Sequence, residues 1–270
     1  NLIKYYNTLK YLKIIQIYYK SVKYFCPINK LSPIRQELDR RLIDGKWTKI
    51  QLKNQSIISR DKFIFLNHEG ELVDKNSWND PRQTKLWLYN LHYFDYLNSA
   101  TNSNKSQIHL RLINRWIKDN RYPIGVGWDP YPVSRRITNW LIWSLNGNAL
   151  NDQIKNSIHT QTSHLYNNIE FDILGNHLIS NGKALVFSGV YFQNKNNKIL
   201  SKGLNILCKE LKKQILFDGG HYERSSMYQA MIIEDILDLI NLSRTYKKVF
   251  PIDIIEGWVG IVKQMFKWLI

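Results

Sequence analysis

The sequence predicts an all-α protein, and three observations support this prediction. After residue 84, apolar residues recur at helical spacing in eight successive segments. Short breaks rich in Asn, Ser, Gly and Pro separate these segments. Strands and helices do not alternate along the sequence, which argues against a doubly wound α/β sheet. Helices joined by short loops pair antiparallel. Polar and aromatic clusters stand at several helix starts, which favours an α/α toroid with a cleft at one end over a bundle or a solenoid.

The toroid domain is predicted over residues 85–270. Its helices are expected at residues 85–98, 106–119, 133–146, 151–168, 175–192, 198–216, 225–246 and 252–270. The internal sequence repeat is too weak for TPR or HEAT units.

Residues 1–84 are predicted to form a basic N-terminal helix and an irregular extension packed on the toroid. Helical spacing of apolar residues indicates a helix over residues 2–25, and a short helix is expected over residues 34–43. The pattern is then mixed up to residue 84. Residues 62–66 are predicted as a short strand and residues 67–70 as a turn.

Positive charge is concentrated in this N-terminal part. The chain has a formal net charge of +16, and residues 1–60 carry thirteen lysines and arginines against three acidic residues. Such a patch would suit one of three partners: an acidic polysaccharide, an anionic membrane surface or nucleic acid. Alternatively, the lysines only solvate the outer faces of helices. No zinc finger, RNP-type strand or helix-turn-helix pattern is present, so we expect no nucleic-acid partner.

Composition sets further limits. No stretch approaches eighteen consecutive apolar residues, so we expect no transmembrane helix. Lysines interrupt the apolar run at the start, which does not fit a secretory signal, and the first residue, Asn1, indicates a fragment or a processed form. Cys26 and Cys208 are interpreted as small buried apolar residues, and no Cys/His spacing indicates a metal site. We expect no cofactor.

Four clusters of polar and aromatic residues are candidates for chemistry. They are NLHYFDY (residues 90–96), GWDPYPVSRR (127–136), GNH (175–177) and HYERSSMY (221–228). Aromatic faces beside Arg, His and Asn suit a carbohydrate that bears carboxylate or sulfate, because guanidinium groups bind such anions in a bidentate manner. The last two clusters lie where long apolar helices begin, so we expect any activity to centre there.

Together these segments resemble the N-terminal domain of heparinase II/III-type polysaccharide lyases. The resemblance rests on NLHYFD, WxPYPVSxR, ExDxxxNH and DGGHYERSxxY, and it is best over about residues 80–245. It implies an α/α toroid, followed in the family by a β-sandwich domain, with the active site between them. Because the chain stops at Ile270 within a helical pattern, we expect an incomplete toroid without its β-sandwich partner. The resemblance also implies an exported protein, in the periplasm or at the cell surface.

The resemblance further implies a role for each cluster. A lyase removes the proton α to a uronate carboxylate and expels the 4-linked sugar. Asn176, with His177 beside it, is expected to neutralise the carboxylate, and Tyr228 to act as acid or base. The expected substrate-binding residues are His92, Tyr93, Trp128, Tyr131, Arg135, Arg136, His221, Tyr222, Glu223 and Arg224. The identity of the polysaccharide, its sulfation and endo or exo action stay open.

Several of these residues also have a purely structural interpretation. Asn176 suits a helix N-cap, and Ser134 is a candidate N-cap of another helix. Tyr228 lies near apolar residues and fits a core position, while Trp128 and Tyr131 suit a brace for a proline-rich turn.

Two other functions compete with the lyase. One is a module that binds anionic glycan without cleaving it. The other is an α/α-toroid glycoside hydrolase, for which Glu170 or Asp172 would be essential, although two carboxylates so close in sequence rarely flank a scissile bond.

Overall fold

A computed structural model describes residues 7, 10–25, 39–49, 54–99, 105–193 and 197–270. The α-helices in these parts are α1 Ile14–Phe25, α2 Lys85–Tyr93, α3 Ser106–Asp119, α4 Pro130–Leu145, α5 Asp152–Asn167, α6 Asn176–Tyr191, α7 Lys198–Gln214, α8 Ser226–Thr245 and α9 Ile252–Leu269. Short 3-10 helices cover Lys75–Asn79, Asp95–Asn98 and Val126–Trp128.

The helices from α2 onward form two concentric layers. Helices α2, α4, α6 and α8 contact one another in that order, and α5, α7 and α9 pack on them from outside. The inner helix α6 is buried on all sides from Leu178 to Tyr191. The outer helix α7 is buried along one stripe only. This is an arc of antiparallel hairpins, so the predicted incomplete α/α toroid is confirmed.

Glycine allows the closest contact between the two layers. A Cβ atom on Gly203 of α7 would lie 2.8 Å from the Gly182 oxygen of α6, and one on Gly189 would lie 2.7 Å from the Leu200 nitrogen. Only a residue without a side chain fits such an approach. The two backbones therefore pack directly on each other, which fixes the start of α6 relative to the end of α7.

Because connected helices alternate in direction, all inner helices run the same way. Their N-termini consequently lie at one end of the arc, where Lys85 of α2 pairs with Asp129, the residue before α4, at 3.1 Å. This arrangement brings the polar clusters of the sequence to that end.

The extension contains a small antiparallel sheet of β1 Ile57–Ser59, β2 Lys62–Phe65 and β3 His68–Glu71. The predicted strand at residues 62–66 is confirmed, but the turn predicted over 67–70 is wrong. The chain reverses one residue earlier, at Leu66 and Asn67, which have positive φ angles of 54° and 62° as a two-residue hairpin requires. Phe63 and Phe65 face the core and contact Tyr96.

Several predicted boundaries need correction. Helix α2 ends at Tyr93 because Phe94 adopts a left-handed conformation, so residues 95–98 form a separate 3-10 turn. Helix α4 begins at Pro130 rather than at residue 133, and Ser134 lies inside it rather than capping it. The predicted boundary between domains after residue 84 stays a prediction.

The N-terminal predictions are met only in part. Within the predicted helix 2–25 the structure shows α1, preceded by a turn at residues 10–11. Residues 12 and 13 are not helical either, and the rest of that prediction, apart from residue 7, lies outside the described residues. For the predicted helix over 34–43, residues 39–43 are non-helical, and Arg41 donates its backbone N–H to the Tyr191 oxygen at 2.7 Å. Residues 34–38 lie outside the described part.

Two smaller expectations concern membranes and cysteines. Among the described residues, no helix is long and apolar enough to cross a membrane. Cys208 is exposed on the outer face of α7, so the expectation that it is buried is wrong. Cys26 lies outside the described residues.

Candidate functional site

Two loops meet at the end of the arc where the inner helices start. Gln214, the last residue of α7, donates its Nε2 hydrogen to the Gly175 oxygen at 2.8 Å, and its Oε1 atom lies 3.2 Å from the His221 Nε2 atom. A Cβ atom on Gly175 would lie 3.2 Å from the Glu223 Oε1 atom and 3.3 Å from the Tyr222 hydroxyl. The loops around residues 175 and 221, on which we expected any activity to centre, therefore adjoin.

The start of α6 leaves polar groups available. Gly175 is the N-cap, with a positive φ of 62°, and it provides no side-chain cap. Asn176 is thus the first helical residue rather than the N-cap, and its side chain is half-buried. It has no hydrogen bond to any part of the chain that the structure describes. The free backbone N–H groups and the helix dipole favour an anion at this point.

His177 is held in a defined orientation. Its Nδ1 atom lies 3.1 Å from the Glu170 Oε1 atom, and its ring packs on Tyr131 with the centroids 4.3 Å apart. A carboxylate oxygen accepts, so Nδ1 carries the hydrogen and donates. The side chain is 25% exposed. The orientation leaves Nε2 as the ring nitrogen that a ligand can meet.

Glu170 is itself fixed by a buried network. It is only 3% exposed, and its Oε2 atom accepts from Asn181 Nδ2 at 3.0 Å. The Asn181 Oδ1 atom accepts the Glu170 backbone N–H at 3.0 Å, and Nδ2 also donates to Ser134 Oγ at 2.9 Å. Asn181 was not predicted as a site residue. It lies four positions after His177 on α6, a helical spacing that offered the one available signal.

The second loop is also anchored from inside. His221 is 1% exposed, and its backbone N–H donates to Gln229 Oε1 at 2.7 Å. Gln229 donates in turn to the oxygen atoms of Gly219 and Met265, at 2.9 and 3.0 Å. Burial lowers the pKa of His221, which favours its neutral form. We therefore withdraw His221 from the predicted substrate contacts and assign it to the frame of the loop.

The residues after His221 face outward. The Tyr222 hydroxyl bonds to the Glu223 carboxylate, and burial, followed by Glu223, raises the pKa of Tyr222. Arg224 is exposed and has a positive φ of 52°. Tyr228, half-buried in the first turn of α8, places its ring 6.0 Å from that of His221.

His92 and Arg136 do not belong to an exposed site, since both are 0% exposed. The His92 Nδ1 atom accepts from Trp116 Nε1 at 2.9 Å, and its Nε2 atom donates to the Trp78 oxygen at 2.8 Å. Burial, and then the charge of Arg136, lower the pKa of His92 to about 3. A side chain without exposed surface cannot contact a polysaccharide, so the substrate-binding prediction is withdrawn for both.

Four other predicted substrate contacts are more enclosed than that role suggests: Trp128, Tyr93, Tyr131 and Arg135. Trp128 is 6% exposed and donates its Nε1 hydrogen to the Asn120 oxygen at 3.3 Å, as expected of a brace. The ring centroids of Tyr93 and Tyr131 lie 5.6 Å apart. Tyr131 packs on His177 and Tyr93 packs on Tyr131, so these two buried tyrosines do not offer an open stacking surface.

The Arg135 guanidinium is engaged within the protein, 3.0 Å from an Asp95 oxygen. Within the described ranges, no group of three or more His, Cys, Asp and Glu side chains could hold a metal ion.

Comparison with known proteins identifies a family to which most of the chain is similar. Residues 80–270 match the family model described as heparinase II/III N-terminus. A heparan sulfate lyase, HepC from Pedobacter heparinus, has a similar structure, with a TM-score of 0.57 and 21% identity; the match covers 77% of this chain and 36% of that one. A heparinase III gives a TM-score of 0.51 and 17% identity, covering 74% and 36%. At these identities the similarity shows the fold alone.

The present chain therefore spans just over a third of the length of these two proteins. Among curated proteins, none matches the sequence.

Proposed function

Because this chain belongs to the heparinase II/III family through its N-terminal domain, we propose that it is the toroid domain of a lyase that cleaves uronate-containing polysaccharide by β-elimination. One observation carries this proposal: a free amide, Asn176, stands at the positive end of α6 beside a histidine held by a buried carboxylate. That set can receive a carboxylate and stabilise the charge that develops on it.

The first step is capture of the uronate carboxylate. The Asn176 amide and the free N–H groups of the first turn donate to it, and His177 lies beside them with its Nε2 atom available to accept a hydroxyl hydrogen of the sugar. These donors spread the negative charge over several hydrogen bonds. The proton α to the carboxylate then becomes more acidic, because the electron pair it leaves behind moves onto an oxygen that already has donors.

The second step breaks the bond to the 4-linked sugar. A base removes the α proton, the electron pair forms a carbon–carbon double bond, and the bond from C4 to the glycosidic oxygen breaks. We assign the transfer of a proton to that oxygen to the hydroxyl of Tyr228, which lies in the first turn of α8, directly after the adjoining loop. Two routes balance the protons: a base from outside this chain takes the α proton while Tyr228 gives its own, or Tyr228 acts as a phenolate that takes the α proton and passes it to the leaving oxygen.

Ultraviolet absorbance tests the proposal, since the product carries a carbon–carbon double bond conjugated with its carboxylate. The full-length natural protein and this 270-residue chain should be assayed side by side on a panel of acidic polysaccharides. We expect absorbance to rise with the full-length protein and Tyr228→Phe to abolish the rise. Full activity of the Tyr228→Phe variant would remove Tyr228 from the mechanism.

A non-catalytic glycan-binding module is the second candidate, and the net charge of +16 favours it. It predicts salt-sensitive binding to the same polysaccharides with no unsaturated product. If no substrate in the panel gives an absorbance change but binding persists, this alternative replaces the lyase.

The hydrolase alternative has less support. Glu170 is buried and hydrogen-bonded to His177 and Asn181, so it does not face a glycosidic oxygen. Asp172 forms an ion pair with Lys23 of α1. A hydrolase would release reducing ends without unsaturation, which the same assay distinguishes.

A further inference from the structure

A groove runs along the outer layer next to the candidate site. One wall is the exposed face of α7, and the other is formed by the end of α5 and the loop that follows it. Six of its lining residues are Tyr166, Phe171, Lys198, Lys202, Asn205 and Lys209. The mechanism described above uses none of them.

The three lysines of this groove share one helix face and lack acidic partners. Lys202 is fixed, since its Nζ atom donates to the Tyr166 oxygen at 2.6 Å and lies 3.9 Å from the centroid of the Tyr166 ring. Lys198 and Lys209 are exposed. Within the described ranges, none of the three forms an ion pair with a carboxylate. Like charges at i and i+4, as at Lys198 and Lys202, oppose helix formation, so an external anion would stabilise this face.

The acidic group on this wall does not offset these charges. Glu210 lines the groove, but its Oε2 atom accepts from Lys213 at 3.2 Å and from Gln214 at 2.8 Å. The groove is therefore positive along its length, which fits a ligand with repeated negative charges.

Aromatic rings complete the chemistry of the groove. Tyr166 and Phe171 are half-buried, and Phe171 is supported from behind by Tyr19 of α1, with the ring centroids 4.8 Å apart. Flat rings beside ammonium groups and the polar side chains of Ser201 and Asn205 suit a sugar chain better than a lipid bilayer.

The groove is connected to the candidate site. Phe171 directly follows Glu170, and Gln214 Nε2 bonds to both Glu210 of the groove and Gly175 of the site. From Lys198 to Glu210 the helix extends about 18 Å. A chain bound at the start of α6 can thus continue down the outside of the toroid.

We propose that this groove is a second binding site for an anionic polysaccharide, occupied by sugars beyond those at the reacting bond. The class of ligand rests on the proposed function. Few side chains are exposed at the candidate site around the start of α6. The groove would supply the further contacts that a long charged polysaccharide needs.

The test compares two triple variants of the full-length protein. One is Lys198→Gln with Lys202→Gln and Lys209→Gln; the control is Lys62→Gln with Lys248→Gln and Lys267→Gln, three exposed lysines elsewhere. Each variant removes three lysines and so lowers the net charge of these 270 residues from +16 to +13. Binding of size-defined heparin and uronate oligosaccharides is measured by calorimetry at several salt concentrations, together with kcat and KM.

We expect the groove variant to bind long oligosaccharides at least tenfold more weakly, with a smaller salt dependence because fewer counterions are released. Its KM should rise for long chains and not for the shortest substrates, with kcat unchanged. The control should behave like wild type. Equal losses in both variants, or an equal loss toward anionic vesicles and DNA, would mean a general charge effect and overturn the proposal.

These outcomes separate the two proposals. If the groove effect persists but no unsaturated product forms, the lyase fails and the groove stands. If product forms and the groove variant matches the control, the groove fails alone. Absence of any binding to acidic oligosaccharides would overturn both.

Discussion

The starts of α4 and α6 lie at the same end of the arc and carry similar residues, yet they differ in how their polar groups are used. At α4, Arg136 donates to Gln161 and to the backbone oxygens of His92 and Gly127, and it stacks on Trp116. The guanidinium of Arg136 therefore donates to groups within the protein and does not face a ligand. At α6, neither the Asn176 amide nor the Nε2 atom of His177 has such a partner among the described residues, and the His177 side chain is 25% exposed.

The difference teaches that residue type alone does not identify a site. Arginine, histidine and tryptophan next to prolines can build a rigid frame as well as bind a sugar. A functional group is marked by hydrogen-bond donors or acceptors that have no partner within the folded protein. The predictions below test this contrast, starting with the largest expected effect.

We call Arg136 and its partners His92, Trp116, Gly127 and Gln161 the closed cluster, and the exposed cluster of Asn176, His177 and residues 222–228 the open cluster. Arg136→Met should disrupt the closed cluster. Three acceptors lose their donor in a buried place, so we expect the free energy of unfolding to fall by about 3–5 kcal/mol, seen as a lower urea midpoint. The matched control is Arg224→Met at the exposed cluster, with an expected change within about 0.5 kcal/mol. Equal losses in both variants would contradict the division into a closed and an open cluster.

Asn176→Ala should show the opposite behaviour. Because the amide has no partner in the described structure, we expect stability to change little, while kcat falls by about a hundredfold to a thousandfold, as on loss of one oxyanion donor. Asn176→Asp should be at least as damaging, since its charge repels a uronate carboxylate. Asn156→Ala, at an exposed position of α5, serves as the control. Unchanged kcat in Asn176→Ala would remove the amide from the mechanism.

Two buried histidines should make stability depend on pH: His92 of the closed cluster, and His164, whose Nε2 atom lies 2.9 Å from the Trp128 oxygen. Burial lowers the pKa of His92 to about 3 and that of His164 to about 4. The unfolded chain takes up these protons near pH 6.5, before the native state does. Stability is therefore full above pH 6.5 and falls as pH decreases toward 4, by at most about 1.4 kcal/mol per pH unit for each histidine.

Urea unfolding at pH 7 and pH 5 tests this. We expect wild type to lose more stability between the two values than His92→Gln, in which one of these groups no longer titrates. An identical loss in both proteins would show that His92 is not responsible.

Much of the fold followed from local patterns. Apolar spacing placed α5 to α9 within a residue or two, because buried stripes and Asn-rich breaks are written in consecutive residues. The end of α2 was missed because Phe94 takes a left-handed conformation that propensity does not suggest. Ser134 was misjudged because its partners, the Pro130 oxygen and Asn181, are set by tertiary contacts.

The candidate site divides in the same way. The loops at Asn176 and His221 could be located from sequence, but which side chains stay open depends on partners distant in the chain. Gln214 closes off His221, and Trp116 closes off His92. No single-sequence pattern contains such pairings, so the predicted binding set was too large.

The smallest effect on kcat is expected at the hydrogen bond between Glu170, which is buried, and His177, which is partly exposed. In Glu170→Gln the amide can donate to Nδ1 of His177, which would move the ring hydrogen to Nε2 and turn an outward acceptor into a donor. We expect kcat to fall roughly tenfold to a hundredfold, with little change in stability. Asp172→Asn removes a carboxylate from the same loop and should not act this way. Nitrogen-15 shifts of the histidine rings report the tautomer directly. If activity falls while the His177 tautomer is unchanged, Glu170 does not act by orienting the ring, and the open cluster needs another explanation for its reactivity.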